Sequence, residues 1–388
     1  MVVYKNGLCY NNVKNKSKGG KDMRKHYIDN IRWMTVVFVV IYHVIYMYNG
    51  VIQGGVAGPF HAVQYQDAVQ YVLYPWFMVL LFLVSGMCAR YYLEKHTDRE
   101  FIRVRTRKLL VPSTIGLFLF QWIQGYFNMA FSNAFDTMPD QIPGAVRYLI
   151  LAVSGIGVLW YIQVLWIVSM LLLLVRKLEK DRLYHICGKI NILGLILLVI
   201  PVWGAAQILN TPVICVYRFG IYGCCFLLGY YVFSHEEVTD RLKKWCIPFA
   251  IAAIVLAACY VAVYFGENYA EKPVVNSPFS IVYAWCACLA ILGCMKRWGD
   301  GTCCFAEFMS TKSFGLYMFH YLALSAIAYF LKMYTPVTGF FAYLLSAVAA
   351  FGGGLVLYEI ISRIPLLNWC VLGIKKEKKQ VLGKSDRT

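Results

Sequence analysis

The chain has 388 residues, 60% of them hydrophobic and only 15% charged, with a mean hydropathy of +0.58, values far from those of soluble globular domains. A net charge of +17 would suit a nucleic-acid ligand on a soluble protein. All but four of the 37 Lys and Arg, however, fall in alternate connections between apolar runs, a pattern of membrane topology that leaves a nucleic-acid role unlikely and excludes a soluble fold.

Apolar runs of span length recur at roughly 33–50, 70–89, 109–131, 157–175, 190–209, 214–233, 246–265, 279–295, 313–331 and 339–362. The expected fold is therefore all-α, a polytopic membrane helix bundle of about ten transmembrane helices. The four basic residues of the other set, Arg147, Arg218, Lys272 and Lys332, mark the outer side, so both termini are expected to be cytoplasmic. Residues 1–28 then read as a basic N-terminal tail, 29–364 as one membrane domain and 365–388 as a second basic tail. Clusters such as "KNKSKGGKDMRK" and "KKEKK" are expected to solvate the inner surface or touch anionic lipid.

Ionisable side chains inside the hydrocarbon region are costly and usually face a bundle interior or a watery cavity, so they are the natural place to look for chemistry. In the first run, "RWMTVVFVVIYH", Arg32 and His43 are eleven residues apart; a helix places them on nearly one face, roughly 16 Å from each other. A neutral histidine bonded to a neighbouring helix and an arginine reaching for headgroup phosphates explain the pair equally well. "LFLVSGMCAR" puts Ser85 and Gly86 in the second run, where small residues most often let helices pack closely. A nucleophilic serine would need a base, which His43 could supply.

Before the third run, "REFIRVRTRKLLVP" gathers Arg103, Arg105, Arg107 and Lys108. Guanidinium groups there could hold an anionic cofactor entering from the cytosol, and would equally obey the positive-inside rule with nothing bound. Residues 146–156 extend the fourth apolar run and are expected to form an interfacial helix ending at Gly155. The aromatic stretch "LWYIQVLW", with Trp160, fits an interfacial belt or the lining of an acceptor site. "SFGLYMFHY" opens the ninth run with Tyr317 and His320 a turn apart, and Glu359 with Arg363 reads as a structural i,i+4 pair. The fourteen cysteines show no zinc spacing and no Cys/His cluster, so no metal is expected.

Together these segments resemble the acyltransferase 3 family of multispan membrane acyltransferases, in the manner of the glucan biosynthesis protein C type. "YIDNIRWMTVVFVVIYH" is similar to the family's first-span signature, an arginine followed by ten residues and a histidine, matched by Arg32 and His43. "PWFMVLLFLVSG" with "FIRVRTRKLLVP" resembles its second span and basic connection, with Arg105 and Lys108 at the basic positions. Lys108 stands where members often carry arginine. "LWYIQVL" resembles its Leu-Trp-Phe-Leu element with Tyr161 for the phenylalanine, and "SFGLYMFH" its late Tyr-x-x-His element. "RIPLLNWCVLGIKK" resembles the usual ending.

The resemblance implies transfer of an acyl group, acetyl or succinyl first, from cytosolic acyl-CoA to a hydroxyl of an extracytoplasmic carbohydrate or glycolipid, in a bacterial inner membrane. On this expectation Arg32, Arg103, Arg105 and Lys108 hold the coenzyme phosphates. His43 acts as general base or transient acyl carrier, the former preferred, and Ser85, Trp160, Tyr317 and His320 support the site. The rival from another class is a glycan or lipid transporter or flippase, whose inverted repeats and broken helices are not evident in the sequence. An unrelated membrane-bound O-acyltransferase would also use an intramembrane histidine.

Overall fold

A computed structural model describes residues 24–374 apart from 53, 137, 140 and 212–215. Of the two basic clusters, all but Arg24 and Lys25 lies outside these residues. The described residues are helical, with one isolated bridge, Asn210 to Arg218, as their only β pairing. In chain order the main helices are α1 (His26–Tyr46), α2 (Tyr65–Leu93), α3 (98–131), α4 (Gly144–Ser154), α5 (Gly157–Glu179) and α6 (Ile192–Ala206). They continue with α7 (Phe219–Phe233), α8 (Glu236–Tyr264), α9 (Pro278–Trp298), α10 (Cys304–Tyr334), α11 (Gly339–Arg363) and α12 (Pro365–Leu372). Seven of these, α1, α2, α5, α8, α9, α10 and α11, are long and apolar enough to cross a membrane, while α4, α6 and α7 are shorter apolar helices.

Several helix ends are set by partners distant in sequence. α1 begins at His26, well ahead of the apolar run, because Asp300 accepts the Tyr27 backbone N–H at 3.0 Å and Asn30 donates to the carbonyls of Gly299 and Gly301. The orphan donors of a helix start are thus partly satisfied from the end of α9. α3 starts with a capping box, Thr97 and Glu100 exchanging hydrogen bonds, and passes through π-helical turns at Thr106–Leu110 and Leu117–Gln121. α4 forms a helix where one was expected over 146–156 and ends at Gly155, whose N–H bonds back to Leu151 and Ala152. Glu359 pairs with Arg363 at 3.1 Å as expected and also with Lys312 at 2.8 Å, tying α11 to α10. α12 lies within the stretch expected as a tail and packs on α3, with the Cys370 carbonyl against Gly116.

α2 is buried nearly all round and so runs through the middle of the bundle, flanked by α1 and α7. α8 instead buries one stripe on α9 and leaves Ile247, Ile251, Ile254 and Val263 exposed, the outward face of a lipid-facing helix. Gly86 and Gly229 let α2 and α7 touch backbone to backbone. A Cβ on Gly86 would lie 1.9 Å from the Phe226 carbonyl oxygen, and one on Gly229 1.9 Å from that of Leu83. Small residues at such crossings are the means by which membrane helices pack closely. Gly86→Ala is therefore expected to destabilise the protein by about 1–3 kcal/mol through overpacking, seen as a lower melting temperature in detergent; an unchanged melting temperature would contradict the tight crossing.

Candidate functional site

The site forms where α1, α2, α3, α5 and α10 converge. Arg32 and Val36 of α1 line a cavity together with Leu81 and Ser85 of α2, Arg105 of α3, Tyr161 of α5, and Ser313 and Tyr317 of α10. Four and eleven residues on from Arg32, Val36 and His43 share its helical stripe. On α10 the order Ser313, Tyr317, His320 runs in the same direction, so the two helices lead from the arginines of the cavity to a pair of histidines beyond its lining.

His43 and His320 meet. His320 Nε2 lies 3.1 Å from His43 Nδ1, across 277 residues of sequence. The tautomers follow from the backbone. His320 Nδ1 is 3.0 and 2.9 Å from the carbonyls of Leu316 and Tyr317, which only accept, so that nitrogen carries the proton and Nε2 is an acceptor. His43 Nδ1 is 2.8 Å from the Val39 carbonyl and therefore donates to both Val39 and His320 Nε2. The lone pair of His43 is left on Nε2. His320 is fully buried beneath Gly354, where an added Cβ would come within 3.2 Å of its backbone. It orients the His43 ring from behind, as the third member of a catalytic triad orients its histidine. The Tyr321 ring packs against the His43 ring, centroids 4.9 Å apart.

At the other end of the stripe the basic groups divide. Arg105 is buried in the cavity wall, whereas Arg103 is exposed on the opposite face of α3 and does not line it. Lys108, just ahead of the spanning part of α3, is pushed down to about 8 by burial and then by the charges of Arg107, Arg32 and Arg105. Four cations thus share one field, and Arg107 replaces Arg103 among them. Arg107 Nε is buried with no hydrogen-bond partner. Arg32 also pairs with Asp29 at 3.8 Å, and the cluster as a whole suits an anion such as phosphate, which would relieve the repulsion among its guanidinium and ammonium groups and fill the orphan donor of Arg107. A second cavity at the same end has mixed charge in its described lining, Arg24, Lys25 and Lys95 against Asp29, Glu94, Glu236 and Glu237, so the basic character belongs to the first.

The remaining candidates occupy distinct places. Ser85 Oγ bonds to Tyr161 OH at 3.0 Å rather than to a histidine, and Tyr317 OH donates to the Val158 carbonyl. Tyr161 and Tyr317 pack edge to face and form the cavity wall between the arginines and the histidines. Trp160 packs on Tyr222 outside the cavity lining. Ser85→Ala is accordingly expected to keep turnover within about tenfold of native, since the residue lacks the adjacent base that a nucleophile needs; a loss of a thousandfold or more in steady-state turnover would restore it as a nucleophile. Among the described residues no group of three or more His, Cys, Asp or Glu converges as a metal site.

A helical bundle with several spans of membrane length defines an integral membrane protein, and this one holds a histidine pair inside the bundle, on a stripe that leads from partly buried cations. The chain belongs to the acyltransferase 3 family: the family's acyltransferase domain matches residues 25–359. It is thus a membrane acyltransferase. No curated protein and no solved structure matches it.

Proposed function

We propose that the protein is an acyl-CoA-dependent O-acyltransferase that moves a short acyl group, acetyl or succinyl, from a cytosolic thioester to a hydroxyl of a carbohydrate or glycolipid on the far side of a bacterial inner membrane. Both termini face the cytosol in this reading, which the distribution of Lys and Arg supports, and α3, α6 and α7 bring the seven long apolar helices to about ten membrane passages. The observation that carries the proposal is the histidine pair at the end of a stripe that starts among clustered, partly buried cations.

In this mechanism Arg32, Arg105, Arg107 and Lys108 hold the coenzyme phosphates near the inner surface, with Arg103 contributing only to the approach. The pantetheine arm runs along the cavity wall formed by Tyr161 and Tyr317, and the thioester reaches His43. His43 Nε2 takes the proton of the acceptor hydroxyl as its oxygen attacks the thioester carbonyl. The tetrahedral intermediate collapses, the carbon–sulfur bond breaks, and the protonated Nε2 returns the proton to the departing thiolate. Ester and free coenzyme A are the products. His320 stabilises the transient imidazolium by accepting from Nδ1. The charged nucleotide stays out of the hydrocarbon throughout, avoiding a large desolvation cost.

The test is release of free thiol by the purified protein from acetyl-CoA and, separately, from succinyl-CoA. Release of coenzyme A supports the reading. No release from either donor with glycan acceptors present, together with movement of a glycan or lipid across vesicles, would replace it with transport.

A further inference from the structure

Beyond the histidines, on the side away from Arg32, a chain of neutral polar groups, buried at Gln124 and Ser325 and partly buried at Asn128, links α3, α4 and α10. Gln124 Nε2 donates to Asn128 Oδ1 and to Ser325 Oγ, both at 2.8 Å. Asn128 Nδ2 in turn donates to the Ser154 carbonyl at 2.7 Å, one of the orphan acceptors at the end of α4. The last bond fixes the orientation of the whole chain. A backbone carbonyl only accepts, so Asn128 must present its amide nitrogen to Ser154 and its oxygen to Gln124. Gln124 must then offer nitrogen to Asn128, which leaves its own carbonyl oxygen pointing elsewhere. That oxygen is buried, in a residue 1% exposed, and has no hydrogen-bond partner. A flip of the amide would set oxygen against oxygen.

An unsatisfied buried amide oxygen costs roughly 1–3 kcal/mol, and in native proteins such a group calls for an explanation. Its surroundings supply one. A Cβ on Gly157 would lie 3.5 Å from the Tyr321 ring and 3.8 Å from Gln124 Cγ, so Gln124 sits close behind Tyr321, whose other neighbour is the His43 ring. Ser325, the Gln124 partner, follows His320 by five residues on α10, roughly 7 Å further from the cation cluster. Through Ser325, Gln124 is thus anchored on the far side of the histidines from Arg32, the side from which the proposed reaction brings its acceptor.

We infer that Gln124 is an acceptor-binding residue: its Oε1 takes a hydrogen bond from a second, non-reacting hydroxyl of the acceptor, held in place by Asn128 and Ser325. The site selects polyhydroxylic acceptors, with a hydroxyl at His43 Nε2 and another several ångströms outward, over simple alcohols or lipids bearing one hydroxyl. The inference rests on the acyl-transfer reading of His43 and adds to it the residue that recognises the acceptor beyond the reacting hydroxyl.

The experiment compares native protein and Gln124→Met, matched for folded amount, with acetyl-CoA as donor and maltotriose, cellotriose or chitotriose as acceptor. A tenfold or greater rise in the acceptor KM with the donor KM within twofold is expected. Equal acceptor KM in the two proteins overturns the inference while leaving acyl transfer standing. Native protein that releases no thiol with any acceptor overturns the transfer reading and this inference with it. If Gln124→Met does not fold, monodeoxy versions of the working acceptor are tested on native protein. One deoxy position distant from the acylated hydroxyl should raise KM tenfold, and indifference to every such position overturns the inference.

Discussion

Replacing His43 by alanine is expected to lower turnover by about a thousandfold or more, with little change in the donor KM. General bases contribute typically about 10²–10⁴ in rate, and in the proposed mechanism the same nitrogen both receives the hydroxyl proton and returns it to the thiolate, so both halves of the reaction would lose their proton carrier. His43 is half-buried and its backbone bond, to Val39, lies within its own helix; truncation leaves the Nε2 acceptor of His320 unmatched, which costs stability without dismantling the crossing of α1 and α10. The check is steady-state turnover alongside a melting curve. Native turnover by a folded His43→Ala protein would remove the histidine from the chemistry. His320→Ala should fall between the two, because it frees the ring of His43 to rotate and to change tautomer while leaving the base in place.

The second large effect is expected at the cation cluster. Arg32→Ala combined with Arg105→Ala should raise the donor KM by a hundredfold or more, while saturating donor restores much of the turnover, as the loss of binding contacts distant from the reacting bond requires. Hydrogen bonds to charged groups contribute roughly 1.5–3 kcal/mol each, so two lost phosphate contacts account for a change of that size. Lys108 adds a pH signature. With its pKa near 8, it carries its charge below that pH and loses it above, so in the native protein the donor KM should climb as pH rises through 8 and 9. Bound phosphate favours the charged form and moves the limb upward. In Lys108→Arg, whose guanidinium stays charged, the limb should disappear. A donor KM indifferent to the double alanine change and to pH would place the coenzyme elsewhere.

Much of this was legible in the sequence because membrane helices obey simple periodicity. The distance from Arg32 to His43 is three turns of a helix, and the stripe between them is intact in the structure. The helical class, the family, the helix ending at Gly155 and the Glu359–Arg363 pair were readable in the same way. What could not be read were relations between helices. The bond from His43 to His320 depends on how α1 crosses α10, and nothing local to either segment announces it. The start of α1 is held by Asp300, a residue from another connection. Arg103 and Arg107 look alike in "FIRVRTRKLL", and only the turn of α3, with its π-helical stretch from Thr106, decides which one shares a field with Arg32. π-helical turns often sit at functional sites, but no residue type marks them in advance. Gln124 carries no charge and so does not stand out in an apolar run, although a buried amide in a membrane helix also needs partners for its polar atoms.

The central claim is that an acyl group enters from the side of the cations and leaves on an acceptor at the opposite face, through His43. The most direct measurement uses proteoliposomes with radiolabelled acetyl-CoA confined to the side of the basic termini and an oligosaccharide acceptor confined to the other. The account predicts label on the acceptor across the membrane, free coenzyme A retained on the donor side, and neither with His43→Ala. Label appearing only on acceptor placed on the donor side, or appearing equally with His43→Ala, would contradict it.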